Sequence, residues 1–506
     1  MGNSESVIKI HLPASKSIVN RALIIEKLSE KRFINKKDIS CDDTKVLSQV
    51  LSLTEPKKRT QTAQTTQKNT KNNSFVKKCI SYLKIKICVN LRNLCILCSK
   101  KSDLCSKNID IKNSGTAMRF MAAFLTQKVG NWLLIGSKSM QTRPIDTLVN
   151  VLRTLGADIE YCGEIGFLPI KICTKTPLNP QNAELTIENS NSSQTVSALM
   201  LIAPHFDNGL KINIKNCASF PYILLTKKIM EDCGAEIQIN DNQIVVVSSC
   251  HCGLDPQSPE KEMSFRPTGE IACKQKPISP FGRNDCVVES DWSAAAFWYA
   301  FLAINEKHTK ITLTNLFSDS YQPDSIVKDI FEKFGITTCH CGLDPQSLKN
   351  NGFENQTIAG QARNDNVTLS KAKNFILPKN FDLNFENYPD LVPIMAVTCC
   401  SLEVKFNFSG VRHLRIKESN RLNALQNELK KCGFLLTQTE NSLQWLGEKC
   451  TPEKLPKIET YNDHRIAMSF AILKQKIDLE ILNPNVVTKS YKNFWKEFNK
   501  VVVNSE

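Results

Sequence analysis

Four stretches of the chain share one pattern: an amphipathic helix, a glycine, then a short strand. They read LVNVLRTLGADIEY, ILLTKKIMEDCGAEIQI, SIVKDIFEKFGITT and LNALQNELKKCGFLLTQ. In each, apolar residues recur every three or four positions, which puts one greasy stripe on a helix. Gly156, Gly234, Gly335 and Gly433 stand where a left-handed residue would close that helix, and alternating residues then begin a strand. Repetition of one such unit restricts the fold to α/β architectures built from copies of it. At 506 residues the chain exceeds one ordinary core, so two domains are expected.

The glycines are 78, 101 and 98 residues apart, and a second repeat explains the unevenness. The string CHCGLDPQS occurs at Cys250–Ser258 and again at Cys339–Ser347, followed by GRND at Gly282–Asp285 and ARND at Ala362–Asp365. Removing these pieces of 36 and 27 residues leaves spacings of 65 and 71. Each piece begins just after a strand, so both read as related insertions at equivalent hairpins, where connections normally run to about two to five residues. The alternative is a structural zinc site, which needs four converging ligands with satisfied second shells; nothing in the rest of the chain is built to bring the two strings together.

The net charge of +15 suggests nucleic acid until it is located. Between Lys57 and Lys107 there are 13 Lys and Arg opposed only by Asp103, so this stretch carries +12 and the rest +3. With only Phe75 and Tyr82 as stacking aromatics, it reads as a solvated third insertion rather than a nucleic-acid face. No apolar run is long enough to span a membrane, and MGNSESVIKIHLPASKS lacks the core of a secretion signal. A cytoplasmic protein is expected.

The remaining motifs lie at predicted helix starts. Lys16, Ser17 and Arg21 in PASKSIVNR precede ALIIEKL, which offers backbone N–H groups, a hydroxyl, an ammonium and a guanidinium to a phosphate or carboxylate. Asn113-Ser-Gly115-Thr116, Gln141-Thr-Arg143-Pro144, Ser192-Ser193-Gln194, Lys417-Glu418-Ser-Asn-Arg421 and Asn462-Asp463-His464-Arg465 also precede helical patterns, and Lys489 lies near the end. Any one is accounted for as a cap with solvated charges. Six helix starts decorated alike argue for a shared anionic ligand.

These pieces resemble the 5-enolpyruvylshikimate-3-phosphate (EPSP) synthases among the enolpyruvyl transferases. LPASKSIVNRAL, NSGTAMRF, MQTRPIDTLVNVLRTLGA, SSQTVSALM, SFPY, SDWSAAAF, YPDLVPIMAV, LRIKESNRL, YNDHRIAM and TKSY occur in the family's order. The resemblance implies two similar domains of three βαβαββ units each, an inverse α/β prism with helix N-termini aimed at the cleft between them. It places residues 18–288 in one domain, with inserts at about 56–108 and 250–285, and 1–17 plus 289–506 in the other, with the insert 339–365. It implies enolpyruvyl transfer from phosphoenolpyruvate to the 5-hydroxyl of shikimate 3-phosphate, by a monomer needing no metal or organic cofactor and no nucleic-acid or membrane partner.

By the same resemblance, Lys16, Ser17, Arg21, Ser192, Ser193, Gln194, Ser219, Tyr222, Asp390, His413 and Lys417 would hold shikimate 3-phosphate. Lys16, Asn113, Gly115, Arg143, Gln194, Arg421, Arg465 and Lys489 would hold phosphoenolpyruvate. Asp390 would act as general base and Glu418 as general acid, with Lys16 beside them. His413 departs from the Asn that many members carry. The sister enzyme acting on UDP-N-acetylglucosamine, which has a Lys-Asn pair and a loop Cys where this chain has SKSIVNR and SSQ, is the alternative, as is a decayed synthase.

Overall fold

The computed structural model describes residues 7–55, 107–188, 193–215, 217–240, 243–248, 288–306, 309–341, 366–373 and 375–505. The basic stretch, the first CHCGLDPQS piece, most of the second and Ser192 lie outside the described residues.

Among the described residues, four four-stranded sheets repeat one topology. The first contains Lys107–Asp110, Gly130–Ile135, Ile170–Thr174 and Asp158–Tyr161, in that order across the sheet. Its first two strands run parallel, the last in sequence runs antiparallel beside the second, and the third closes a hairpin on it. Glu184–Glu188, Leu210–Lys215, Gln243–Val246 and Ile237–Asn240 repeat this order. So do Asn380–Asn384, Lys405–Ser409, Ser442–Trp445 and Thr437–Gln438. In the fourth sheet the leading strand is Val7–Ile10, which pairs parallel with Lys310–Leu313.

The predicted glycines close the second helix of each unit, with φ of 103° at Gly156, 96° at Gly234, 77° at Gly335 and 98° at Gly433. Such values strain any residue with a Cβ, so the glycine is what lets the chain turn straight from helix to strand. A reduced unit surrounds the helix His464–Leu473, flanked by the parallel pair Lys457–Ile458 and Glu480–Ile481. The helices Lys16–Ser29 and Asp42–Leu53 pack together without a sheet of their own among the described residues.

Buried apolar side chains fall into two clusters. One runs from Ile18 to Val288; the other holds Ile8, Ile10 and residues from Trp292 to Val501. The chain passes between them twice, and the two passages lie side by side: Ala14 and Ser290 form an antiparallel bridge, with Ser15 N donating to Glu289 O at 2.9 Å and Asp291 N to Pro13 O at 2.9 Å.

One expectation needs correction. The second CHCGLDPQS piece does interrupt a hairpin, between Ile336–Cys341 and Asn366–Lys371. The first follows the last strand of its unit, because Ile237–Asn240 and Gln243–Val246 are already two strands of a closed hairpin. The two insertions therefore sit at different places in their units. One run of alternating residues reads as a single strand in sequence, whereas Ile237–Asn240 and Gln243–Val246 are two strands paired antiparallel.

Candidate active site

A cavity of about 300 Å³ lies between the two clusters, lined by the starts of eight helices among the described residues. They are Lys16–Ser29, Asp42–Leu53, Gly115–Leu125, Asp146–Thr154, Ser193–Ile202, Pro221–Asp232, Arg421–Lys431 and His464–Leu473. Helix N-termini ordinarily attract Asp or Glu to their partial positive charge. Six of these eight have no acid in the first turn, the exceptions being Asp42–Leu53 and Asp146–Thr154. A cavity ringed by helix starts that mostly lack first-turn acids is suited to an anion that the protein does not supply.

The cations follow the same plan. Lys16, Arg21, Arg119, Arg143, Lys417, Arg421 and Arg465 all line the cavity. Arg21 is 2% exposed and bonds only neutral oxygens: its Nε reaches Thr226 Oγ1 at 2.6 Å, and its other nitrogens reach Ser17 O, Ser197 Oγ and Tyr222 O. Burial pushes its guanidinium down to about 10. Burial, and then Arg143, push Arg119 down to about 9. Both are cations held short of a counter-ion, and an entering phosphate would relieve them.

Two carboxylates stand among these groups. Asp390 Oδ1 accepts from Arg421 Nη1 at 2.9 Å and Asp390 Oδ2 from Arg465 Nη2 at 2.7 Å. No side-chain cap bond from Asp390 reaches the helix Val392–Ser401, so a purely capping role does not describe it. Burial alone would raise its carboxyl; Arg465, Lys417 and Arg421 outweigh burial and hold it far below the usual range. Glu418 behaves alike, with burial overcome by Lys489, Arg421 and Arg143, at 3.2, 2.8 and 3.7 Å respectively. Arg421, 1% exposed, ties the cluster together through a further 2.8 Å bond from Nε to Asp463 Oδ2.

Of the residues expected from sequence, Lys16, Ser17, Arg21, Gly115, Arg143, Ser193, Gln194, Ser219, Tyr222, Asp390, His413, Lys417, Glu418, Arg421 and Arg465 line this one cavity. Lys489 borders it through Glu418. Asn113 is not among the lining residues; its amide oxygen accepts from Ser139 Oγ at 2.7 Å. Gln194 is fixed from both ends, accepting from Arg119 Nη1 and donating to Thr116 Oγ1, each at 3.1 Å.

Asp43, Arg119 and His464 are among the lining residues that carried no assignment from sequence. Asp43 pairs with Lys16 at 3.2 Å, and its only sequence signal is an Asp-Asp step opening a helix. Arg119 and His464 sit inside motifs already noted. His464 is 1% exposed, and among the described residues neither ring nitrogen has a hydrogen-bond partner. Burial, then Lys16 and Arg465, hold it neutral.

Gly115 has a specific task. A Cβ there would lie 2.6 Å from Arg143 Nη1 and 2.8 Å from Arg143 Cζ. The guanidinium lies flat against the glycine, and as the mobile end of a long side chain it can be pushed aside without unfolding anything. Gly115→Ala is therefore expected to leave Tm within about 2 °C and to raise the KM for an Arg143-bound anion at least about tenfold, by roughly 1.4 kcal/mol of lost contact. Steady-state kinetics alongside thermal melts check both halves.

His413 gives a pH signature. Burial, and then Lys417, push its imidazole down to about 3. Between the ordinary value near 6.5 and that value, the unfolded chain takes up a proton that the folded imidazole refuses. Stability therefore falls as pH falls through this window, at about 1.4 kcal/mol per pH unit from this group. His413→Asn is expected to lose Tm less steeply than the parent between pH 6.5 and 5, measured in matched thermal melts.

Two domains of repeated α/β units, with cations and helix starts from both around one cavity, define an enzyme that encloses small, multiply anionic substrates. Comparison with known proteins makes this specific. The profile of EPSP synthase (3-phosphoshikimate 1-carboxyvinyltransferase) matches residues 89–253 and 268–498, and the chain belongs to that family. It is 33% identical to a 3-phosphoshikimate 1-carboxyvinyltransferase of Bacteroides fragilis strain YCH46 over 494 residues, 97% of this chain and 94% of that one. A protein of the same name from Methanobrevibacter smithii is 29% identical over 400 residues, 79% of this chain and 80% of the other. In fold, the chain is similar to an EPSP synthase structure from Acinetobacter baumannii, with a TM-score of 0.59 and 18% identity over 99% of this chain and 96% of that one.

Proposed function

We propose that the chain transfers the enolpyruvyl group of phosphoenolpyruvate to the 5-hydroxyl of shikimate 3-phosphate and releases phosphate. The observation that carries this reading is the ring of cations and acid-free helix starts around one cavity. Each substrate brings a phosphate and a carboxylate, the groups such a ring is short of. Domain limits at 18–288 and at 1–17 with 289–506 accord with the two apolar clusters.

Arg21, Ser17, Ser193, Gln194, Ser219 and Tyr222 form one side of the cavity and suit shikimate 3-phosphate, with Ser192 expected beside them. Arg143, Arg421, Arg465 and Lys489 suit phosphoenolpyruvate, with Gly115 leaving room for Arg143 and Asn113 at the rim. Lys16 can reach both. Lys417, whose ammonium burial makes easier to deprotonate, and the neutral His413 face the reacting centre.

The chemistry follows from competition for cations. With the protein's own cations as their partners, Asp390 and Glu418 are ionised and weakly basic. When substrate anions engage Arg143, Arg421, Arg465 and Lys489, those cations are shared, and both carboxyls rise toward the range where protons move. Glu418 takes up a proton from solvent as its basicity rises; Asp390 then takes the proton of the 5-hydroxyl as its oxygen adds to the enolpyruvyl carbon, while Glu418 delivers its proton to the methylene carbon, which becomes a methyl group. Loss of phosphate from the tetrahedral adduct, with return of one methyl proton to Glu418, regenerates the C=CH2 group and gives the enol ether.

The reading extends to a monomer working in the cytoplasm, since one chain furnishes every group of the cavity and both substrates are water-soluble metabolites. Phosphate release that requires both substrates together, and ignores UDP-N-acetylglucosamine in place of shikimate 3-phosphate, is the expected result. Release with either substrate alone, or with the nucleotide sugar, would refute it.

A further inference from the structure

One buried acid beside the cavity has no part in the scheme above. Asp324 lies in the short helix Pro323–Ile326 and is 2% exposed. Among the described residues no cation pairs with it: Arg465, the nearest guanidinium in its field, is bonded to Asp390. Its neighbours are hydroxyls. Ser293 Oγ donates to Oδ2, and Tyr222 Oη stands 3.5 Å from Oδ1. Asp390, Arg465 and Asp291 are the charged groups that face it.

Tyr222 packs against one apolar cluster, while the short helix that carries Asp324 packs on the other through Ile326. Tyr222 opens the helix Pro221–Asp232 on one side of the cavity, and Asp324 packs with the helix Trp292–Ile304 on the other. The same two segments touch again where the Lys228 ammonium lies 5.2 Å from the centre of the Tyr321 ring. At 3.5 Å the Tyr222–Asp324 contact is longer than an ordinary O–H···O bond, and a further approach of about 0.7 Å would complete it. Burial, and then Asp324 and Asp390, push the ionisation of Tyr222 well up, so its hydroxyl stays a donor.

We infer that Asp324 is a positioning residue for the shikimate 3-phosphate side of the cavity, holding the Tyr222 hydroxyl from across the cleft so that this wall is set only when the two domains meet. The inference rests on the reading of Tyr222 given above. Asp324 touches no substrate; it acts through Tyr222, and its loss is expected in binding of one substrate rather than in turnover.

A double-mutant cycle tests this. Tyr222→Phe and Asp324→Ala are each expected to raise the KM for shikimate 3-phosphate about 5- to 20-fold, leaving kcat and the KM for phosphoenolpyruvate within about twofold. The double variant is expected to be no worse than the weaker single one, and Asp324→Asn, which keeps one acceptor oxygen, to recover part of the loss. Should Asp324→Ala melt early, the cycle is run with Asp324→Asn. Losses that multiply in the double variant, or a KM raised equally for both substrates, overturn the inference. A parent enzyme that releases no phosphate from the two substrates would instead overturn the functional reading beneath it.

Discussion

Asp390→Asn is expected to cut kcat by about 10²- to 10⁴-fold, the usual contribution of a positioned general base. Asparagine keeps the shape of the side chain and can still accept from one arginine, but it cannot take the proton of the 5-hydroxyl. It also leaves Arg421 and Arg465 with less negative charge between them. The KM for phosphoenolpyruvate should therefore hold steady or fall while turnover collapses, and this split separates a lost base from a damaged site. Phosphate release under saturating substrates measures it. A kcat within threefold of the parent would remove Asp390 from the chemistry.

The largest effect on stability is expected at Arg421. Its guanidinium is buried and holds Asp390 at 2.9 Å, Glu418 at 2.8 Å and Asp463 at 2.8 Å. Those three acids lift its own proton affinity against the cost of burial. Arg421→Met fills similar volume but leaves three carboxylates competing for Arg465, Lys489 and Arg143. Removing one partner of a buried ion pair costs about 3–5 kcal/mol. Urea unfolding should show a lower midpoint with an unchanged slope, and inorganic phosphate should no longer raise the midpoint. A midpoint equal to the parent's would mean that water reaches the cluster and screens it.

The sequence carried the repeat because each unit ends its helix on a glycine whose φ leaves no substitute, and that mark survives at Gly156, Gly234, Gly335 and Gly433. It carried most of the cavity because the motifs open helices, so Lys16, Arg143, Ser193, Arg421 and Arg465 announce themselves by position. What it could not carry were pairings across the cleft. Asp43 and Asp324 stand in undistinguished stretches and matter only because folding sets them against Lys16 and Tyr222. The place of the first insertion, after a closed hairpin rather than within one, was missed for a local reason. Two strands of four residues, Ile237–Asn240 and Gln243–Val246, together carry the alternation of one longer strand.

The pairing of Val7–Ile10 with Lys310–Leu313 has a consequence for synthesis. The partner edge leaves the ribosome about 300 residues after that first strand, roughly 15–60 s later at ordinary translation rates. The domain holding Ile18 to Val288 can condense in that interval. All the while, the leading strand hangs beside it with its peptide groups unmated, a sticky end that the nascent chain must keep solvated until its berth is made.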